Sequence, residues 1–283
     1  MLAELHQVKK HYKDFSLDCS IEIMEDRVTG LIGANGAGKS TTFKAILGLI
    51  HPDGGDVLVF GKKPEDLQMK EKEDIGAVLS DSGFSEYLTV KQMENIMESL
   101  YGKFSRADFE KQCVRFKIPF DKKVKDFSNG MKAKLRVLLA LSHQARLLIL
   151  DEPTAGLDVT AREDILDLLR EYMETPGRAV LISSHISADL EQFCDDIYMI
   201  GQGKILLHEE TDAILEEYGV LKVSQEDYKA LDKSGLLRVR KESFGYSCLT
   251  DQRRFYLENY PSLVIEKGSV DEVISMMVRG ERL

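Results

Sequence analysis

Apolar residues fall into two rhythms along the 283-residue chain. Short aliphatic runs at 28–32, 56–60, 75–79, 147–150, 179–183 and 197–200 are bounded by turn residues or charges, the pattern of buried strands. Between several of them, apolar residues recur at three- and four-residue spacing, notably at 161–172 and 186–193, which predicts amphipathic helices. Apolar strands separated by helices predict an α/β fold whose mainly parallel sheet is covered on both faces. The stretch 89–124 breaks this alternation and reads as consecutive helices without a strand.

After about residue 220 the texture changes. Strand-like segments at 221–223, 236–240, 247–250 and 263–266 enclose helical ones at 225–231 and 252–259, and a last helix is expected at 270–278. The order β-α-β-β-α-β is that of the ferredoxin-like arrangement. The expected division is therefore a body over residues 1–220, with a helical part at 85–140, and a small α+β unit over 221–283.

Composition narrows the class of molecule. The formal net charge of −10 offers no basic face, so no nucleic-acid partner is expected. No stretch approaches the roughly 18–20 apolar residues of a membrane span. The most apolar region, 135–150, is interrupted by His143, Gln144 and Arg146, and the charged first ten residues do not resemble a signal peptide. A soluble, cytoplasmic chain is expected, with any membrane role carried by a partner. Cys19, Cys113, Cys194 and Cys248 lie too far apart for a C-x-x-C site and read as free thiols.

The segment Gly33-Ala34-Asn35-Gly36-Ala37-Gly38-Lys39-Ser40-Thr41 fits G-x-x-x-x-G-K-[ST], between an expected strand and an expected helix. Glycines let the backbone close around phosphate oxygens, and the helix N-terminus adds positive potential. Lys39 would reach the terminal phosphates and the Ser40 hydroxyl would ligate Mg²⁺. The strand at 147–150 ends in Asp151 and Glu152, at the sheet edge where open α/β folds bind ligands. Asp151 suits the metal, and Glu152 suits a base for the water that attacks the last phosphate.

Further signals follow in fixed order: Phe127-Ser128-Asn129-Gly130-Met131-Lys132, Pro153-Thr154, Gly156-Leu157-Asp158 and Ser184-His185. Together with the phosphate loop and the acidic pair, this series resembles the ABC transporter ATPases over residues 2–215. The resemblance implies a P-loop cassette with a mainly parallel core sheet, an N-terminal antiparallel β part, a helical subdomain and the small C-terminal α+β extension. It implies an ATPase using ATP and Mg²⁺, paired head to tail with a second ATPase subunit and joined to separate membrane-spanning subunits at the inner face of the membrane. Ser128 and Gly130 would then contact the nucleotide held by the neighbour, and Asp158 would lie at the dimer seam. His185 would hold the attacking water, and Tyr12 would stack on adenine. Phe84, Tyr87 and Leu88 stand where such subunits meet a membrane partner.

The chain departs from the common family pattern in three places. Its signature reads Phe127-Ser128-Asn129-Gly130-Met131, a form resembling the ABC-2 export group. Lys132, Lys134 and Arg136 replace the usual arginine-rich helix, which also points to export. After the strand at 75–79, Ser80 and Asp81 replace the expected glutamine, and Asp81 is the metal candidate there. The competing function is a soluble ABC-type ATPase acting on ribosomes or DNA. Such proteins carry tandem cassettes, a long coiled-coil insertion or basic arms, and no such feature is visible here.

Overall fold

The computed structural model describes residues 1–80 and 83–282. Strands β1 (Ala3–His11) and β2 (Ser16–Ile23) pair antiparallel, and β2 buries every second residue, as a sheet with one covered face requires. In β3 (Val28–Ile32) all residues are buried, and the strand runs straight into the phosphate loop and α1 (Lys39–Ile46). After β4 (Gly54–Val59), which pairs with β1, comes α2 (Met69–Lys72) and then β5 (Ile75–Val78).

The helical part consists of α3 (Val90–Leu100), α4 (Arg106–Arg115) and α5 (Asn129–Leu141). Each starts at a hydroxyl side chain: Thr89 accepts from the Gln92 amide, Ser105 from that of Asp108 and Ser128 from that of Met131. These bonds satisfy amide donors that have no partner within the first helical turn. Then follow β6 (Leu147–Asp151), α6 (Val159–Met173), β7 (Ala179–Ser184), α7 (Ser187–Phe193), β8 (Asp196–Gly201), β9 (Lys204–Glu210) and α8 (Thr211–Glu217).

Among the described residues, nine strands form one sheet in the order β4-β1-β2-β9-β8-β3-β7-β6-β5. Its inner half, β8-β3-β7-β6-β5, is parallel throughout, as the apolar runs predict. Strand β9 was not expected from the hydrophobic pattern. Its residues are only partly buried, so it carries no continuous apolar run, and it is specified by antiparallel pairing with β8. It touches β2 at one pair of residues, Asp18 and Lys204, which closes the antiparallel part onto the core.

Beyond α8 the chain builds a second sheet from β10 (Gly219–Val223), α9 (Gln225–Ala230), β11 (Leu236–Glu242), β12 (Gly245–Thr250), α10 (Arg253–Asn259) and β13 (Val264–Lys267), followed by α11 (Val270–Arg279). The strand order β11-β12-β10-β13, antiparallel at every pairing, is the ferredoxin-like order. Successive side chains in a strand point to opposite faces. Leu221 and Cys248 thus pack with Tyr256 of α10, whereas Val220 and Leu249 join Val273 and Met276 of α11. Helix α11 rests in turn on α7 and α8. The Glu191 carboxylate on α7 accepts a hydrogen bond of 2.8 Å from the Val270 amide at the start of α11.

Candidate functional site

Strands β3, β7, β6 and β5 are immediate neighbours and parallel, so the segments leaving their carboxyl ends share one edge of the sheet. That edge carries the phosphate loop after β3, His185 after β7, Glu152 after β6 and Ser80 after β5. Residues separated by more than a hundred positions meet because of this strand order.

Two glycines of the loop have no substitute. A Cβ on Gly33 would lie 2.3 Å from the Ile200 carbonyl oxygen, and Gly38 takes φ 119°, a region that side chains avoid. Lys39 is buried, and its Nζ donates to the Gly33 carbonyl at 2.7 Å, curling back over the loop. A cavity of about 530 Å³ opens above it. Asn35, Gly36, Gly38, Lys39, Ser40 and Thr41 line this cavity, together with Asp151 and Glu152. Gly33 and Ala37 stand behind the wall: Ala37 is buried, and its carbonyl accepts from the Gly203 amide at 2.9 Å.

The Asp151 carboxylate is 4% exposed and gathers three hydroxyls. Ser40 Oγ donates to Oδ2 at 2.7 Å, Ser80 Oγ to the same oxygen at 3.2 Å, and Ser183 Oγ to Oδ1 at 2.7 Å. A buried carboxylate flanked by hydroxyls is a hard-oxygen donor set of the kind Mg²⁺ takes. Asp81, the metal candidate, lies outside the described residues, so Ser80 is the residue of that segment seen at the carboxylate.

Glu152 follows β6 with φ 53°, a left-handed conformation costing a residue with a side chain about 1–2 kcal/mol. Its amide donates to Ser183 Oγ at 3.0 Å, which helps to hold this turn. One carboxylate oxygen, Oε2, accepts from the His185 amide at 3.1 Å and meets the imidazole Nδ1. The other, Oε1, lies 3.3 Å from Lys39 Nζ yet is buried without a hydrogen-bond partner. The His185 ring is half exposed at the mouth of the site.

The remaining expected residues lie elsewhere. Ser128 is exposed at the start of α5, and neither it nor Gly130 lines the cavity around Lys39. A Cβ on Gly130 would come 3.0 Å from that of Ala161 on α6, so the start of α5 abuts the start of α6. Asp158 caps α6, its carboxylate accepting from the Ala161 amide at 2.8 Å. Tyr12 is 47% exposed and does not line the cavity. Phe15 does, with its ring centroid 6.3 Å from that of Tyr12 and its edge against Gly38. Sequence reasoning passed over Asp14 and Phe15, although they sit in the tight turn that follows Tyr12. Nothing in the sequence around Ser183 marks it either, since it merely closes an apolar run.

The four thiols are buried and unpaired. Burial pushes Cys19 up to about 11, and Cys113 and Cys248 up to about 12.

Residues 17–155 match the family model for ABC transporters. The ATP-binding protein YtrB of Bacillus subtilis is 30% identical over 219 residues, 77% of this chain and 75% of that protein. The bacitracin transport ATP-binding protein BcrA of Bacillus licheniformis is 34% identical over 189 residues, 66% of this chain and 62% of that protein. Coverage of such relatives thus extends from below two thirds of their length to three quarters. A solved ATP-binding subunit of an ABC transporter superposes with a TM-score of 0.67 at 27% identity, covering 76% of this chain and 92% of that one. No helix among the described residues is long and apolar enough to cross a membrane. The motifs gathered on one sheet edge and the similarity to these relatives show that the chain belongs to the ATP-binding proteins of the ABC transporter family.

Proposed function

We propose that the chain powers transport, in the export direction, by hydrolysing MgATP between two head-to-tail cassettes attached to separate membrane-spanning subunits. The observation that carries this reading is the split of the expected nucleotide contacts. Lys39, Ser40, Asp151 and Glu152 surround one cavity, whereas Ser128 and Gly130 lie outside it on the start of α5. A second copy, or a related cassette, supplies the missing helix N-terminus to the terminal phosphate. The Ser-Asn-Gly-Met-Lys signature supports the export reading, as does the similarity to the Nod factor export ATP-binding protein I of Rhizobium sp., 29% identical over 222 residues.

Within each site, backbone amides of the loop and Lys39 bind the phosphates, which requires Lys39 to leave the Gly33 carbonyl and Glu152. Ser40 and Asp151 would hold Mg²⁺, with Ser80 beside them, and the ion would supply neutralisation of charge on the terminal phosphates. Glu152 Oε1 accepts a proton from water as the water oxygen attacks the γ-phosphorus and the bond to the leaving ADP oxygen breaks. His185 braces the base through Oε2. Tyr12 and Phe15 together offer an aromatic surface beside the loop for the adenine.

The membrane partner's site is the face between α3 and α5. There Phe84, Met93, Met97, Leu100 and Tyr101 line a cleft of about 230 Å³, and Tyr87 stands 69% exposed nearby. The chain then works at the cytoplasmic face of the membrane through that contact.

Glu152→Gln tests the assignment. Removing the base is expected to lower kcat about 100- to 10,000-fold, the range of general-base catalysis. ATP affinity is retained, and an ATP-bound dimer accumulates on size-exclusion chromatography. Turnover near the wild-type rate in this variant would overturn the role of Glu152.

A further inference from the structure

Asp189, on α7 four residues after His185, has no part in the chemistry described above, yet its carboxylate is among the most buried of the described residues, at 3% exposed. A carboxylate removed from water is costly unless partners compensate it. The Thr154 hydroxyl, itself fully buried, donates to Asp189 Oδ2 at 2.7 Å. The Arg162 guanidinium approaches from α6, with Nε 3.6 Å from Oδ1. That nitrogen is buried and makes no hydrogen bond, so this second arm of the contact is loose.

Each partner belongs to a different functional segment. Thr154 lies two residues after the base Glu152. Arg162 lies in the first turns of α6, which Asp158 caps and against which Gly130 packs at the Ala161 side chain. Asp189 itself rides on the helix that continues from His185. The groups serving this chain's own ATP, Glu152 and His185, are thus joined through one carboxylate to groups presented to the neighbour's ATP, Asp158 and Gly130.

We propose that Asp189 is a positioning residue for hydrolysis. Its carboxylate clamps the Glu152–Thr154 segment, the start of α6 and α7, so that the base and His185 are aligned together with the dimer-facing elements. The inference rests on the ATPase reading above. The tight bond to Thr154 sets the base, and the slack contact to Arg162 has room to shorten when the α6 end is pressed by a second cassette. Asp189, Thr154 and Arg162 do not line the cavity around Lys39, so loss of the clamp is expected to act on the base and to leave nucleotide affinity nearly unchanged.

Two nearly isosteric variants of the full chain test this, with Thr154→Val removing only the hydroxyl and Asp189→Asn only the charge. Both are expected to lower kcat about 10- to 100-fold, the cost of a misplaced catalytic group. KM for ATP and the binding of a fluorescent ATP analogue stay within about twofold if the phosphate loop is untouched. The double variant loses little more than the worse single one, because both act through one contact. A kcat within twofold of wild type in both single variants would overturn the proposal. A parallel loss of kcat, analogue binding and melting temperature in both would also overturn it, since that pattern marks a merely structural contact. A wild-type protein without ATP turnover would instead count against the ATPase reading itself.

Discussion

The catalytic edge of the large sheet and the small C-terminal sheet are built on opposite policies toward buried polarity. Around the edge, Lys39, Thr42, Asp151, Thr154, Ser183, Ser184 and Asp189 are all buried. In the C-terminal unit, the buried polar side chains among the described residues are Ser247 and Thr250. Burying a charge costs several kcal/mol unless geometry and partners compensate it. On the function proposed above, the edge bears that cost because phosphate and metal would be bound there, away from bulk water. The C-terminal unit instead buries Leu221, Val223, Cys248 and Tyr256 and gains stability by ordinary apolar packing. One region is arranged for chemistry and the other for cohesion, and α11 joins them by resting on the helix that follows His185.

Matched glycine substitutions should separate the regions most sharply. Gly38→Ala places a methyl group at φ 119°, within 3.0–3.2 Å of Leu17, Phe15 and Ile200. It is expected to abolish ATP binding, measured by analogue fluorescence. Gly245→Ala puts its methyl 2.2 Å from the Val223 carbonyl at φ 146°. That change should destabilise the C-terminal sheet while ATP binding persists. Equal loss of binding in both variants would mean that the two regions fold and act as one unit.

A smaller effect is expected from Ser183→Ala. This hydroxyl donates to Asp151 and accepts from the Glu152 amide. Its loss leaves two buried groups short of a partner, costing about 1–3 kcal/mol each at most. The expected readouts are a lowered melting temperature and a kcat reduced about tenfold, in keeping with the displacement of a catalytic group. An unchanged kcat would show that the turn at Glu152 holds without Ser183.

The smallest effect concerns the thiols, and it reads the comparison without altering the site. With Cys19 pushed up to about 11 and Cys248 to about 12, burial leaves almost no thiolate near neutral pH. Native alkylation should be slow, and rise only as local opening exposes each sulfur. Cys248 is expected to label before Cys194 if the small sheet opens independently of the large one. Simultaneous labelling, followed by mass spectrometry, would argue for a single cooperative unit.

Much of the cassette was legible because its signals are local. Five residues at 28–32 that are apolar or small, followed by a glycine-rich loop and Lys39-Ser40, can form little other than a buried strand leading into a phosphate-binding helix. The C-terminal order was legible for a similar reason, since period-two and period-3.6 patterns alternate cleanly there. Strand β9 was not, because half-exposed residues leave no continuous apolar run. Phe15 was missed because nothing local distinguishes an aromatic facing a cavity from one in a turn. Ser183 and Asp189 were missed because a serine ending a strand and an aspartate in a helix carry no motif. Their roles arise from partners 27–35 positions away in the chain.

The sequence by itself therefore determined the chemistry: the phosphate loop, the acidic pair and the order of the family's motifs, each encoded by residues close together in the chain. Only the tertiary structure decided how those parts cooperate. Adjacency of β3, β7, β6 and β5 brings Ser40, Ser80 and Ser183 to one carboxylate. Asp189 on α7 likewise meets Thr154, from the segment after β6, and Arg162 of α6. The physical reason is range. A motif needs only backbone geometry and neighbouring residues, whereas a buried polar network takes its meaning from which distant segments the sheet order brings within hydrogen-bond reach.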